Sequence, residues 1–240
     1  MTMNRAAHIG IVGLLLLFPL GCTGGQSDTG PGEPEETTKA EGAGKLRPPK
    51  EVVEIILEAE DGEVTPDMVV REFDSFVHPD AGRQEASGGK CVVIPRHANK
   101  ACKDKNQARK KAGKPPLPFK GKLVLTFKVP EDGAYYVWPR VMWGDGGGCE
   151  NSVGFRVDDG KPLVLTSGTY TKWLWFKIRP LDPKSELPRA FKLDAGEHTL
   201  TFTNTEDNIK IDQVYITSDA KEVPPPGQIM EKMEPLDFSF

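Results

Sequence analysis

A chain of 240 residues with 31 basic and 35 acidic side chains carries a formal net charge of −4, so no global positive field recommends nucleic acid as a partner. Its 25 glycines and 21 prolines suit a loop-rich, all-β protein better than a helical one. No H-E-x-x-H, G-x-S-x-G or phosphate-loop pattern occurs, and the histidines at 8, 78, 97 and 198 are scattered, so the reading is of a protein that is not an enzyme.

The chain opens with Arg5 and an apolar run from Ile9 to Leu20, shorter than a confident membrane span. The run stops at Leu20-Gly21-Cys22. Residues 1–21 resemble a bacterial lipoprotein signal, which implies lipidation of Cys22 and a membrane-anchored protein of the cell envelope. Residues 22–50 are rich in Gly, Thr, Pro and Glu and almost free of apolar side chains. Such a segment buries too little surface to offset its ordering entropy, and it reads as a flexible tether.

From residue 51 to 219 the pattern is strand after strand. Val53, Ile55, Leu57 and Ala59 alternate with Glu54, Ile56, Glu58 and Glu60, the period-two signature of a half-buried strand. Met68 to Val77 is a second extended run and Cys91 to Ile94 a third. Leu123, Leu125, Phe127 and Val129 alternate until Pro130, and Glu131-Asp132-Gly133 turns the chain into Tyr135 to Val141. Val153, Phe155 and Val157 end at the hairpin signal Asp158-Asp159-Gly160. Leu163 to Leu165 and Trp173 to Ile178 follow. In the closing hairpin His198, Leu200 and Phe202 share one face, and Ile209, Ile211 and Val214 to Ile216 form the last strand. Eight to ten short strands of this kind predict a single all-β sandwich domain, with one short polar helix over 103–111.

Several of these pieces, in this order, resemble a carbohydrate-binding module of the family 6 and family 35 kind. They are Glu58-Ala59-Glu60, Ala86-Ser87-Gly88-Gly89-Lys90, L-T-F-K-V-P-E-D-G-A-Y-Y-V-W-P-R-V, F-R-V-D-D-G, K-W-L-W, D-A-G-E-H-T-L-T-F and I-D-Q-V-Y-I-T. The resemblance implies a galactose-binding-like jelly-roll sandwich, a structural calcium and a non-catalytic sugar-binding role. Glu58 and Glu60, two apart on a strand, would send both carboxylates to one face, and calcium takes hard oxygen ligands. Asp212 matches the family position that completes the metal set. For the ligand, Trp173 matches a stacking aromatic, and Tyr170, Trp143 and Asn208 lie in neighbouring loops or turns. An aromatic face stacks on a pyranose ring while polar groups fix its hydroxyls.

An insertion over 96–122 carries a local cluster of basic residues, which recommends anionic glycans among the candidate partners. Cys91, Cys102 and Cys149 make a disulfide plausible in an exported protein, and their spacing does not choose the pair. Residues 220–240 form a tail that either docks a partner or covers the sandwich. The expected function is a lipid-anchored, glycan-binding envelope protein; the competing expectation is a structural or adhesion protein using the same sandwich for protein contacts.

Overall fold

The computed structural model describes residues 49–145, 150–179, 184 and 186–230, with the side chains of 101 and 102 excepted. The expected lipoprotein signal, Cys22, most of the tether, Cys149 and the last ten residues lie outside the described residues.

Fourteen strands are described, more than the alternation alone suggests, because several are only two to four residues long. In chain order they begin with β1 (Glu54–Glu58), β2 (Glu63–Val64), β3 (Val69–Glu72), β4 (Phe76–His78), β5 (Gly82–Gln84) and β6 (Lys90–Ile94). Helix α1 (Lys100–Lys111) follows, starting three residues before the expected helix. Then come β7 (Lys122–Val129), β8 (Gly133–Met142), β9 (Ser152–Val157) and β10 (Leu163–Thr166). The last are β11 (Trp173–Trp175), β12 (Ala190–Leu193), β13 (Gly196–Asn204) and β14 (Ile209–Thr217).

They build the expected jelly-roll sandwich. One sheet has seven strands, running β11-β8-β14-β6-β3 with β1 added on β14 and β12 on β8. The facing sheet has five, ordered β10-β9-β13-β7-β2. The sheets bury the residues that the alternation selects. Leu123, Leu125, Phe127 and Val129 of β7 and Leu200 and Phe202 of β13 meet Val92, Ile94, Val137, Val141, Ile209 and Ile211 across one apolar core. His198 packs at the margin of this core, its ring centroid 5.7 Å from that of Phe127. It sits half-buried, its Nδ1 2.8 Å from Asp158 Oδ2 and its Nε2 2.7 Å from the Asp194 carbonyl, tying two turns together.

A shift of register between Ile211 and Val214 sets up everything on the outer face of the larger sheet. Ile209, Ile211, Val214 and Ile216 all point into the core, so the consecutive pair Asp212 and Gln213 falls on the other side. Their outer face is therefore not a plain solvated surface. Ala86, Cys91, Val93, Met142 and Trp173 form one small apolar cluster there, and Ile56, Trp138 and Tyr215 a second. Cys91 is buried with a free thiol, so it is not the expected disulfide partner of Cys102 or Cys149.

The first part of the tail covers the second cluster. Met230 packs against it, its N–H donates to Gln213 Oε1 and its carbonyl accepts from Gln213 Nε2. Trp175 Nε1 donates to the Gln228 carbonyl at 2.9 Å. Residues 219–230 are thus a strap over the sheet.

Candidate functional site: a groove on the outer face

Between the two clusters stands Arg140 of β8, 1% exposed. Its guanidinium donates to Asp212 Oδ2, to the Glu85 carbonyl (3.1 Å) and to the Gly227 carbonyl (2.6 Å), and it lies 5.0 Å from the Trp173 ring centroid. One side chain therefore clamps β14, the loop before β6 and the strap. Asp212 accepts a further bond from the Ser87 N–H at 2.9 Å. Burial pushes the Asp212 carboxyl up to about 6 even though Arg140 and the Ser87 amide favour its charged form.

The acidic residues expected to hold calcium gather beside this clamp, by a route different from the expected one. β1 stops at Glu58, and Ala59–Asp61 is a single 3-10 turn, so Glu60 does not share a strand face with Glu58. The turn is forced at Asp61-Gly62. A Cβ on Gly62 would lie 2.6 Å from Leu123 Cδ1, so only glycine lets the chain bend this close to β7. Glu58 Oε1 accepts from Ser87 Oγ (3.0 Å) and Gln213 Nε2 (2.9 Å). Glu58 Oε2 and Glu60 Oε2 are buried without any hydrogen-bond donor. Burial pushes the Glu60 carboxyl up to about 7, opposed by a backbone hydrogen bond and reinforced by the nearby charges of Glu58 and Asp212. Two buried carboxylate oxygens lacking donors are costly, and they suit a hard cation. Asp212 differs, because Arg140 already neutralises it. Among the described residues, no group of three His, Cys, Asp or Glu side chains is assembled to hold a metal.

Toward the Asn208 end of the same face the sheet is left open as a hollow of about 540 Å³. Cys91 and Val93 of β6, Met142 of β8 and Lys210 of β14 line it from the sheet, with Arg71 from the edge strand β3. Phe73 and Asp74 line it from the segment joining β3 to β4, and Phe76 from the start of β4. Phe76 is 40% exposed and packs on Phe73 (centroids 6.1 Å), which in turn packs on Trp173 (5.3 Å). Opposite them is a polar rim. Arg96 pairs with Asp145 (2.5 Å) and Glu150 (3.4 Å), and Glu150 Oε2 accepts from Asn208 Nδ2 (3.1 Å) and from the Asp145 N–H (3.0 Å). Gly144 is held tightly here, since a Cβ would collide with the Glu150 side chain. Asn208 keeps a left-handed backbone (φ 59°), a conformation asparagine tolerates better than most residues, and its N–H donates to the Ile94 carbonyl. The Lys210 side chain makes no hydrogen bond or ion pair among the described residues, and burial pushes its ammonium below the usual lysine range.

The four expected ligand residues separate accordingly. Asn208 stands on the rim and Trp143 lines the hollow, but Trp143 is 0% exposed, packed in the core with its ring edge-on to Phe176. Trp173 is 1% exposed, enclosed by Arg140 and Phe73. Neither tryptophan offers a free face for stacking on a sugar ring. Tyr170 is half-buried against the core, its hydroxyl 3.4 Å from Asn151 Nδ2, and does not line the hollow. The exposed aromatic is Phe76, which the sequence reading passes over. Its signal was F-D-S-F: two rings three apart in a strand run, where strict alternation puts only one on the buried face.

No protein-family model matches this chain, and no curated protein does. Among solved structures the chain is similar to an exo-beta-1,3-galactanase from Phanerochaete chrysosporium, with 16% identity and a TM-score of 0.42 over 68% of this chain and 29% of the galactanase. A GH26-CBM35 beta-(1,4)-mannanase from Podospora anserina is similar at 14% identity and a TM-score of 0.41, over 71% of this chain and 29% of the mannanase. A family 35 carbohydrate binding module from Clostridium thermocellum is similar at 14% identity and a TM-score of 0.40, over 68% of this chain and 97% of the module. The chain spans less than a third of the two enzymes. The sandwich rests on this chain's own sheets and not on these likenesses.

Proposed function

We propose that this protein is a non-catalytic glycan-binding module, held at the cell envelope through a lipid on Cys22, with the groove as its binding surface. The observation that carries this is the pairing, in one hollow of about 540 Å³, of an exposed ring at Phe76 with a bonded polar rim at Arg96, Asp145 and Asn208. That volume lies in the roughly 300–1,000 Å³ range of small-ligand sites, and the mix of ring face and oriented polar groups is what a pyranose needs. Calcium belongs to the same reading as a structural ion. Glu58 and Glu60 would hold it through the oxygens that lack donors, and it would supply the positive charge that those buried carboxylates want.

The competing reading, a structural or adhesion role, draws on the enclosure of Trp143 and Trp173 and on Val77, 77% exposed beside Phe76. A single experiment separates them. Full-length protein is screened on a broad polysaccharide panel beside Phe76→Ala. Glycan binding that weakens tenfold or more in the variant, with an unchanged melting midpoint, supports the groove. Binding that the variant leaves intact, or no glycan binding at all, removes it.

A further inference from the structure

The insertion that precedes β7 has no part in closing the sandwich, yet it is built rather than loose. Asn99 is 1% exposed; its N–H donates to Asp207 Oδ1 (2.9 Å) and its side-chain oxygen accepts from Asn204 Nδ2 (2.7 Å). Asn106 and Leu117 exchange two hydrogen bonds (2.9 and 2.6 Å), and Arg109 Nε donates to the Pro115 carbonyl (2.6 Å). Prolines at 115, 116 and 118 stiffen the return.

This scaffold holds ten basic side chains against one acid, Asp104, between residues 96 and 122. Arg96, Lys100 and Lys103 find carboxylates. Lys105, Lys110, Lys111, Lys114, Lys120 and Lys122 are exposed and have no ion pair among the described residues. Part of this charge has a structural reason, since cations suit a helix C-terminus. That end carries only about half a negative charge, however, and Arg109, Lys110 and Lys111 all stand in the last turn. Fixing like charges on adjacent turns is unfavourable, so the excess wants an external counter-charge. A second hollow, of about 570 Å³, opens at this end of α1, with Gln107, Lys110 and Lys114 among its lining.

Position indicates which counter-charge. Arg96 rims the groove four residues before α1, and Asp207, which anchors Asn99 and Lys103, adjoins Asn208. The groove and the basic insertion therefore share the Asn208 end of β14. The chain joins the sandwich at the opposite end, where Glu54 lies across from Thr217 and the Val53 N–H donates to Ser218 Oγ. Nine residues of β14 separate the two ends by about 27 Å.

We propose that the insertion is a second binding surface, with Lys110 and Lys114 at its centre, that takes the acid groups of an anionic polysaccharide whose sugar rings lie in the groove. This rests on the glycan-binding reading of the groove. The occupant is a polymer and not the bilayer, because the basic surface adjoins the groove and lies at the far end of the sandwich from Val53 and Glu54.

The test measures binding of the full chain to polygalacturonate, to its methyl ester (the same backbone without charge), and to vesicles of anionic phospholipid, at low and high salt. Three variants are compared with the wild type: Lys110→Gln/Lys111→Gln/Lys114→Gln, Phe76→Ala and Lys128→Gln/Lys161→Gln/Lys192→Gln, the last a charge-matched control at exposed lysines outside the insertion. The expected result is tenfold or greater loss of polygalacturonate affinity in the insertion triple variant, loss of most of the salt dependence, and no change in its melting midpoint. Unchanged polygalacturonate binding in the insertion triple variant, an equal loss in Lys128→Gln/Lys161→Gln/Lys192→Gln, or tighter binding to vesicles than to polygalacturonate overturns the proposal. Failure of the groove alone reads differently: Phe76→Ala is then silent while the insertion triple variant still loses the polyanion.

Discussion

At the scale of single residues, the tryptophans illustrate how one side chain supports two opposite readings. Trp173 follows a loop and matches a stacking position, so in sequence it reads as a ligand platform. In the fold it is the wall between Arg140 and the Phe73–Phe76 pair. Its role is then structural, and truncation opens a cavity beside a buried guanidinium. Trp173→Ala is expected to lose about 3–5 kcal/mol of stability in chemical denaturation. A variant that unfolds at the wild-type midpoint would show that the ring is not enclosed. The distinction was not legible beforehand, because a ring packs on a phenylalanine or on a sugar with the same face. Asn208 entered the sequence reading only through the family resemblance; its left-handed backbone at the rim is a feature of the fold.

At the scale of elements, long strands were readable and short ones were not. β7, β9 and β13 alternate over enough residues for the pattern to declare their buried faces, and the structure buries those faces. β2, β4 and β5 are two or three residues long, less than two full periods, so no alternation could identify them. The register shift in β14 was hidden for a different reason. A bulge adds one residue without changing composition, and only the partner strand shows that Asp212 and Gln213 share a face. The 3-10 turn after β1 belongs with it, since it brings Glu60 beside Glu58 and Asp212 without a shared strand. Here the calcium reading makes its prediction. At a hundred times the dissociation constant, calcium should raise the melting midpoint by roughly 5–10 °C, the increment for a linked stabilisation of about 2.7 kcal/mol in a domain of this size. Glu60→Gln should remove most of that increment. A midpoint that ignores both calcium and chelator would exclude an ion from this position.

At the scale of the molecule, the clamp, the groove and the basic insertion are arranged along β14. One end pairs with β1, the middle carries the Asp212–Arg140 clamp under the strap, and the Asn208 end carries the groove and the basic insertion. The sandwich class was readable from alternation and turns, because those are local. The groove was not, since Arg71, Phe76, Arg96, Asp145 and Lys210 are brought together from five separate segments of chain. The central claim is that this end binds sugar, and amide chemical shifts during titration with the best-bound oligosaccharide address it directly. The account predicts saturable shifts confined to Phe73–Phe76, Arg96, Asp145, Asn208 and Lys210. Shifts centred on Trp175 and residues 224–230, or none at concentrations that saturate binding, would contradict it.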